Sequence, residues 1–166
     1  MDTSDAALSR RPIEDKLRIL KDPHAGAFGV IMLGILFVLQ FAVLIVVSEK
    51  GTYLLLFIVI PVISRCCGAL SILCLKPMAQ SNYASMFRKN TKMPHISFVI
   101  FVTVFVLILS CVFARIYGLI VIVSVIVGFT GAMFYVYRDM KGVSGDLAGF
   151  CIVIGELCGL IAMAVI

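Results

Sequence analysis

The chain has 166 residues, of which 62% are hydrophobic and only 14% charged, with a mean hydropathy of +1.15. Soluble domains are roughly half apolar and disordered chains are poor in hydrophobic residues and rich in charge, so both classes are excluded. Fourteen Lys and Arg against nine Asp and Glu leave a net charge of +5, an excess that on a membrane chain sets topology rather than recruiting nucleic acid.

Residues 1–24 read as a cytoplasmic segment with no cleavable signal peptide, because they are polar and the apolar stretch that follows is long enough to span. Asp2 and Asp5 are three apart, so in a helix both carboxylates share one face. Two carboxylates so placed can hold a hard cation such as Mg²⁺, or they can simply be solvated surface. Ser9 is expected to cap a second helix with Pro12 in its first turn. There Ile13, Leu17 and Leu20 recur at helical spacing opposite Glu14, Asp15, Lys16 and Arg18, an amphipathic pattern that suits the membrane surface. Asp22 sits at a break before Pro23, because proline disfavours helical backbone for the residue ahead of it. His24 can donate to a phosphate, and Gly26 and Gly29 allow either close backbone approach or plain helix packing.

Residues 25–166 are expected to form a transmembrane helical bundle. Five apolar segments, at about 27–47, 52–75, 96–114, 116–137 and 147–166, are long enough to cross a bilayer, and no alternating strands suggest a barrel. The fold class is therefore all-α, a polytopic membrane bundle with a short interfacial helix at its N-terminus. The turn at Arg115 is so short that the third and fourth spans must form an antiparallel hairpin. Arg10, Arg11, Lys16, Arg18, Lys21, Lys76, Arg88, Lys89, Lys92, Arg138 and Lys141 fall on one side of such a bundle and only Lys50 and Arg115 on the other. The positive-inside rule makes the first side cytoplasmic. Arg88, Lys89 and Lys92 suit anionic headgroups or an arriving phosphorylated substrate. The six cysteines lie inside apolar runs without metal-ligand spacing, and Gly155 with Gly159 forms a small-xxx-small packing face.

Two charges lie within the spans. Arg65 is 11 residues before Lys76 and Glu156 is 10 after Asp146, which puts both about 15–17 Å deep at 1.5 Å per residue. Ionisable groups at that depth pair or face a polar cavity, so Arg65 and Glu156 form either a structural ion pair or the wall of a substrate site. In the last loop Gly142, Ser144, Gly145, Asp146 and Gly149 feed the fifth span. Free N–H groups and glycines at a helix start can receive a phosphate, with Asp146 either at that site or serving only as a helix cap.

Taken in order, Asp2-Thr3-Ser4-Asp5, Leu20-Lys21-Asp22 with Gly26 and Gly29, Ser64-Arg65, and Gly145-Asp146 with Gly149 and Glu156 resemble the adenosylcobinamide-GDP ribazoletransferases, the membrane cobalamin synthases. That family's aspartate motif is Asp-Gly-x-x-Asp-Thr-x-Asp-Gly, and this chain begins inside it, with Ala6 for the final glycine and Pro23-His24 and Gln80 replacing residues usual in the family. The chain is accordingly expected to lack the N-terminal third of a family member. The resemblance implies a Mg²⁺-dependent transferase of the inner cell membrane, its site facing the cytoplasm. It would join adenosylcobinamide-GDP to α-ribazole or its 5′-phosphate and release GMP. Asp2, Asp5, Asp22 and Asp146 become the implied metal-binding and catalytic residues, and Lys21, His24, Arg65, Gly145, Gly149 and Glu156 the implied substrate contacts. The implied partners are those two substrates and the lipid bilayer, with homo-oligomer formation open. Competing readings are a small transporter or channel using Arg65 and Glu156, an inactive fragment of the transferase, and a CDP-alcohol phosphotransferase. The last lacks its Asp-Gly-x-x-Ala-Arg opening here, and a transporter has no need of four aspartates on one membrane face.

Overall fold

In a computed structural model, residues 1–22, 24–50, 54–78 and 93–166 are described. They form six helices: α1 (Asp2–Leu8), α2 (Ile13–Ile19), α3 (Ala27–Lys50), α4 (Leu55–Cys74), α5 (Met93–Met140) and α6 (Gly145–Val165). The last four are long and apolar enough to cross a membrane. Outward-facing side chains such as Phe37, Val38, Phe41 and Phe134 are apolar, as a lipid solvent requires. The bundle is all-helical, with a single isolated bridge between Pro77 and Val143 among the described residues.

Helix α5 has 48 residues, about 72 Å if straight and more than twice a hydrocarbon core of about 30 Å. Its backbone leaves helical geometry at Arg115 (φ 51°, ψ −133°). The chain reverses there: Ser110 packs directly onto Gly118, where any Cβ would collide with its hydroxyl and carbonyl. The expected hairpin is thus present as two arms, 93–114 and 116–140. In lipid, helices gain little by burying apolar surface against each other and rely on close contact. Gly155 and Gly159 supply it, lying against Val125, Phe129 and Ile60 so that α6 seats on the second arm of α5 and on α4.

Helices α3 and α6 run in the same direction. Gly29 and Gly145 border one cavity at their starts, and at the far end the Lys50 ammonium donates to the Ala164 carbonyl at 2.6 Å. That contact satisfies a free carbonyl at the negative end of α6.

The N-terminal segment departs from the sequence expectation in three ways. Residues 3–7 of α1 are buried, so α1 is docked against α3 and α6 rather than solvated. Ser9 ends α1 by donating to the Ala6 carbonyl at 2.9 Å, while Pro12 takes the N-cap position of α2 with no side-chain cap. Arg10 turns the chain between them at φ 52°. Lys16, expected on the polar face of α2, is buried instead and its ammonium reaches Asp139 near the end of α5 at 2.6 Å. A lone lysine among apolar neighbours requires such a partner, and a carboxylate 123 residues away is not legible from local periodicity.

Candidate functional site

A cavity of about 450 Å³ lies between α1, α3 and α6. Its mouth is polar: Asp2, Thr3 and Ser4 from α1 face Gly145 and Asp146 at the start of α6. Its shaft is apolar, running past Met32, Leu36 and Leu39 of α3 and Val153, Ile154 and Leu157 of α6. From Gly29 to Leu39 is ten residues, so the shaft follows α3 for about 15 Å.

The start of α6 is capped by Ser144, whose side chain accepts from the Leu147 N–H at 3.3 Å. Asp146 is therefore not the cap, so that one of the two sequence readings of the residue falls away. Neither Asp2 nor Asp146 has a hydrogen-bond or ion-pair partner for its carboxylate among the described residues. Asp146 also lies in the first turn of a 21-residue helix, where the dipole favours negative charge. Gly149, one turn on, borders the cavity, and a Cβ there would meet nothing within 4 Å.

Asp5 is placed one turn behind this mouth and is buried. Its carboxylate accepts from the backbone N–H groups of Gly26 and Gly29, both at 2.9 Å, and so anchors the start of α3 to α1. The glycines are needed at both positions, since a Cβ on Gly29 would lie 2.5 Å from Asp5 Oδ2 and one on Gly26 would clash with Oδ1. Asp22 is apart from the cavity. It accepts from the His24 backbone N–H at 3.0 Å and lies 2.8 Å from Nδ1 of the same residue. These contacts, the backbone bond foremost, hold the Asp22 carboxyl below its ordinary range. Lys21 and His24 are both exposed, and neither borders the cavity.

Arg65 and Glu156, expected at matching depth, are joined: Arg65 Nη1 donates to Glu156 Oε1 at 2.8 Å. The Ser64 hydroxyl lies 2.8 Å from the same oxygen. This pair is separate from the mouth. Glu156 faces α4, while Arg65 borders an apolar crevice with Pro61, Val62, Cys66 and residues of the first arm of α5. Pro23, Gln80, Arg88, Lys89 and Lys92 lie outside the described residues. Thr3 and Ser4, which the sequence reading passed over as site residues, border the mouth; their signal was their position between the two motif aspartates.

No three His, Cys, Asp or Glu side chains gather as a metal cluster among the described residues. Mg²⁺ does not demand one: it takes one or two carboxylates and completes its octahedron with water and substrate phosphate. The hard oxygen donors of Asp2 and Asp146 fit that requirement, and among the four aspartates expected from the sequence these two share the cavity.

A family model described as cobalamin-5-phosphate synthase matches residues 1–164. Proteins named adenosylcobinamide-GDP ribazoletransferase are similar along the whole chain. The one from Clostridium botulinum (strain Alaska E43 / Type E3) is 37% identical over 162 residues, covering 96% of this chain and 64% of that protein. The one from Clostridium perfringens (strain SM101 / Type A) is 32% identical over 169 residues, covering 100% and 66%. The one from Lachnoclostridium phytofermentans is 29% identical over 166 residues, covering 99% and 62%. The chain thus spans a little under two thirds of the length of these curated relatives. No solved structure matches it.

Proposed function

Because the chain belongs to the cobalamin-5-phosphate synthase family, we propose that it carries the phosphotransfer site of an adenosylcobinamide-GDP ribazoletransferase at the cytoplasmic face of the cell membrane. The observation that supports this best is the mouth between α1 and α6, where two carboxylates without partners among the described residues border one cavity. Like charges brought together repel, and a cation that binds phosphate relieves that repulsion.

Asp2 and Asp146 would hold Mg²⁺. The ion, when bound, neutralises charge on the phosphate oxygens of an in-line displacement. A ribazole hydroxyl attacks the cobinamide-linked phosphorus, a new P–O bond forms, the P–O bond to GMP breaks, and the hydroxyl proton passes to one of the two carboxylates. Asp5 keeps the start of α3 fixed against α1, so the wall of the site does not shift as the substrate binds. Gly145 and Gly149 leave the backbone of the first turn of α6 open to a phosphate. Arg65 and Glu156 hold α4 to α6 beneath the site.

The test is GMP release from adenosylcobinamide-GDP on adding α-ribazole to the purified protein in nanodiscs. Release that stops with EDTA and returns with Mg²⁺ is expected; turnover unchanged by EDTA would remove the metal from the reading.

A further inference from the structure

The two carboxylates at the mouth stand on different segments, Asp2 on α1 and Asp146 on α6. A site built from both needs each segment held in place. The side that bears Asp146 is held several times over. The Met78 N–H donates to the Val143 carbonyl and the Val143 N–H to the Lys76 carbonyl, both at 3.0 Å. Gly142 lies so close to the Met78 backbone that a Cβ would collide with it, and Ser144 caps the helix that follows. The side that bears Asp2 has less. Helix α1 has seven residues, too few to be stable alone, and Asp5 ties only its back to the start of α3.

The remaining support is α2. Four residues, 9–12, join α1 to α2, so the seat of α2 decides where α1 can lie. Leu17 and Leu20 of α2 pack on the same buried group as Ala6 and Ala7 of α1, together with Val136 and Leu147. Into that group α2 sends a charge. Lys16 is 6% exposed, and its ammonium donates to both carboxylate oxygens of Asp139, at 2.6 and 2.7 Å. Apolar packing is non-directional and lets a short helix slide, whereas a charged, two-pronged hydrogen bond fixes one position. Asp139 is in the last turn of α5, seven residues before Asp146. The pair thus ties the segment that carries one mouth carboxylate to the segment that carries the other.

We propose that Lys16 and Asp139 are positioning residues: their ion pair seats α2, and through it α1, so that Asp2 stands where it can share one divalent cation with Asp146. The inference rests on the transferase reading, which uses those two carboxylates, and adds what sets their placement. Neither Lys16 nor Asp139 borders the cavity.

The probe is Mn²⁺, which suits the same carboxylate and water ligands as Mg²⁺ and is counted by electron paramagnetic resonance. Its binding to the purified protein in phosphatidylcholine nanodiscs is measured beside amide exchange of residues 3–7. The proteins are the natural chain, Lys16→Glu, Asp139→Lys, the double reversal and Lys16→Arg. Each single reversal should weaken Mn²⁺ binding about tenfold or more, the scale on which groups that orient metal ligands act, and should speed exchange in residues 3–7. The double reversal and Lys16→Arg should recover most of both. A charge effect through space would instead strengthen binding in Lys16→Glu and weaken it in Asp139→Lys, a result that overturns the proposal. So does a loss of thermal stability in the single reversals with Mn²⁺ affinity and exchange unchanged, or a double reversal as impaired as the two singles combined. Val125→Ala controls for stability, since Val125 is buried in the core against Gly155 and Gly159. It should lower the melting temperature and leave both readouts alone; an equal fall in Mn²⁺ affinity there would reduce the pair to general stability and overturn its positioning role. Asp139→Asn serves if the reversals do not fold, and should show both changes in smaller degree; neither change in it overturns the proposal. If the natural chain bound no Mn²⁺, the metal of the transferase reading would fall, and the exchange of residues 3–7 alone would decide for or against the pair.

Discussion

Helix α6 carries acids in two settings. Near its start, Asp146 borders the cavity mouth with Asp2, and among the described residues neither carboxylate has a partner. Ten residues later, Glu156 is paired, its Oε1 receiving Arg65 Nη1 at 2.8 Å with the Ser64 hydroxyl at the same distance. Charge inside a membrane must be paired because lipid cannot solvate it, whereas charge at the interface can be left open for a ligand. A carboxylate therefore serves cohesion at one depth and, on the function proposed above, binding at another, and the two should respond differently to neutralisation.

The largest effect is expected at the mouth. Asp146→Asn should lower turnover by about 10²-fold or more, the scale of losing one preorganised electrostatic group, with thermal stability in detergent unchanged. An unaltered Mg²⁺ titration in that variant would remove Asp146 from the site.

At the ion pair the order reverses, with stability affected first. Arg65→Met and Glu156→Gln should each cost roughly 3–5 kcal/mol by stranding the partner, and the double variant should recover most of it. Differential scanning fluorimetry beside turnover reads both. Strictly additive losses would mean that the pair does not couple, and a double variant that regains stability but stays inactive would move Arg65 into the substrate path.

Asp5 is the intermediate case, a carboxylate near the mouth that is used structurally. Asp5→Ala should destabilise the bundle by about 2–3 kcal/mol, the scale of buried bonds to a charged group, and should raise amide exchange at Gly26 and Gly29. Unchanged exchange there would deny the anchoring of α3 to α1.

The smallest effect is at Asp22. Its lowered pKa means that its contribution to the turn before α3 is present above the pKa of an unfolded aspartate and lost as pH falls through the folded value. NMR titration should place its midpoint below that of a free aspartate, and His24→Ala should raise the midpoint only part-way, since the backbone N–H of residue 24 remains. A midpoint already at the free value would dissolve the pairing.

Much of the architecture was legible because membrane spans announce themselves by length and hydropathy. Residues 27–47 lie within α3, Arg115 is the reversal point, and α6 begins two residues before the expected 147. The depth arithmetic for Arg65 and Glu156 also met its counterpart, since helical rise is fixed and a charge in mid-span has few ways to be satisfied. The N-terminal segment was less legible. Seven residues of α1 with two acids look solvated by composition, and only docking against α3 and α6 buries residues 3–7.

The sequence by itself determined which segments are apolar enough to span, where the chain must turn, and that charges in mid-span need partners, because these follow from local composition and the cost of charge in lipid. Tertiary structure alone decided the division of labour among the aspartates. Asp2, Asp5 and Asp146 are alike as residues, but Gly26 and Gly29 come close enough to claim the Asp5 carboxylate, while Ser144 takes the cap and leaves Asp146 facing the cavity. For Asp5 the partners lie 21 and 24 residues away, where no local spacing encodes them, and for Asp146 the cap went to a near neighbour whose choice composition alone left open.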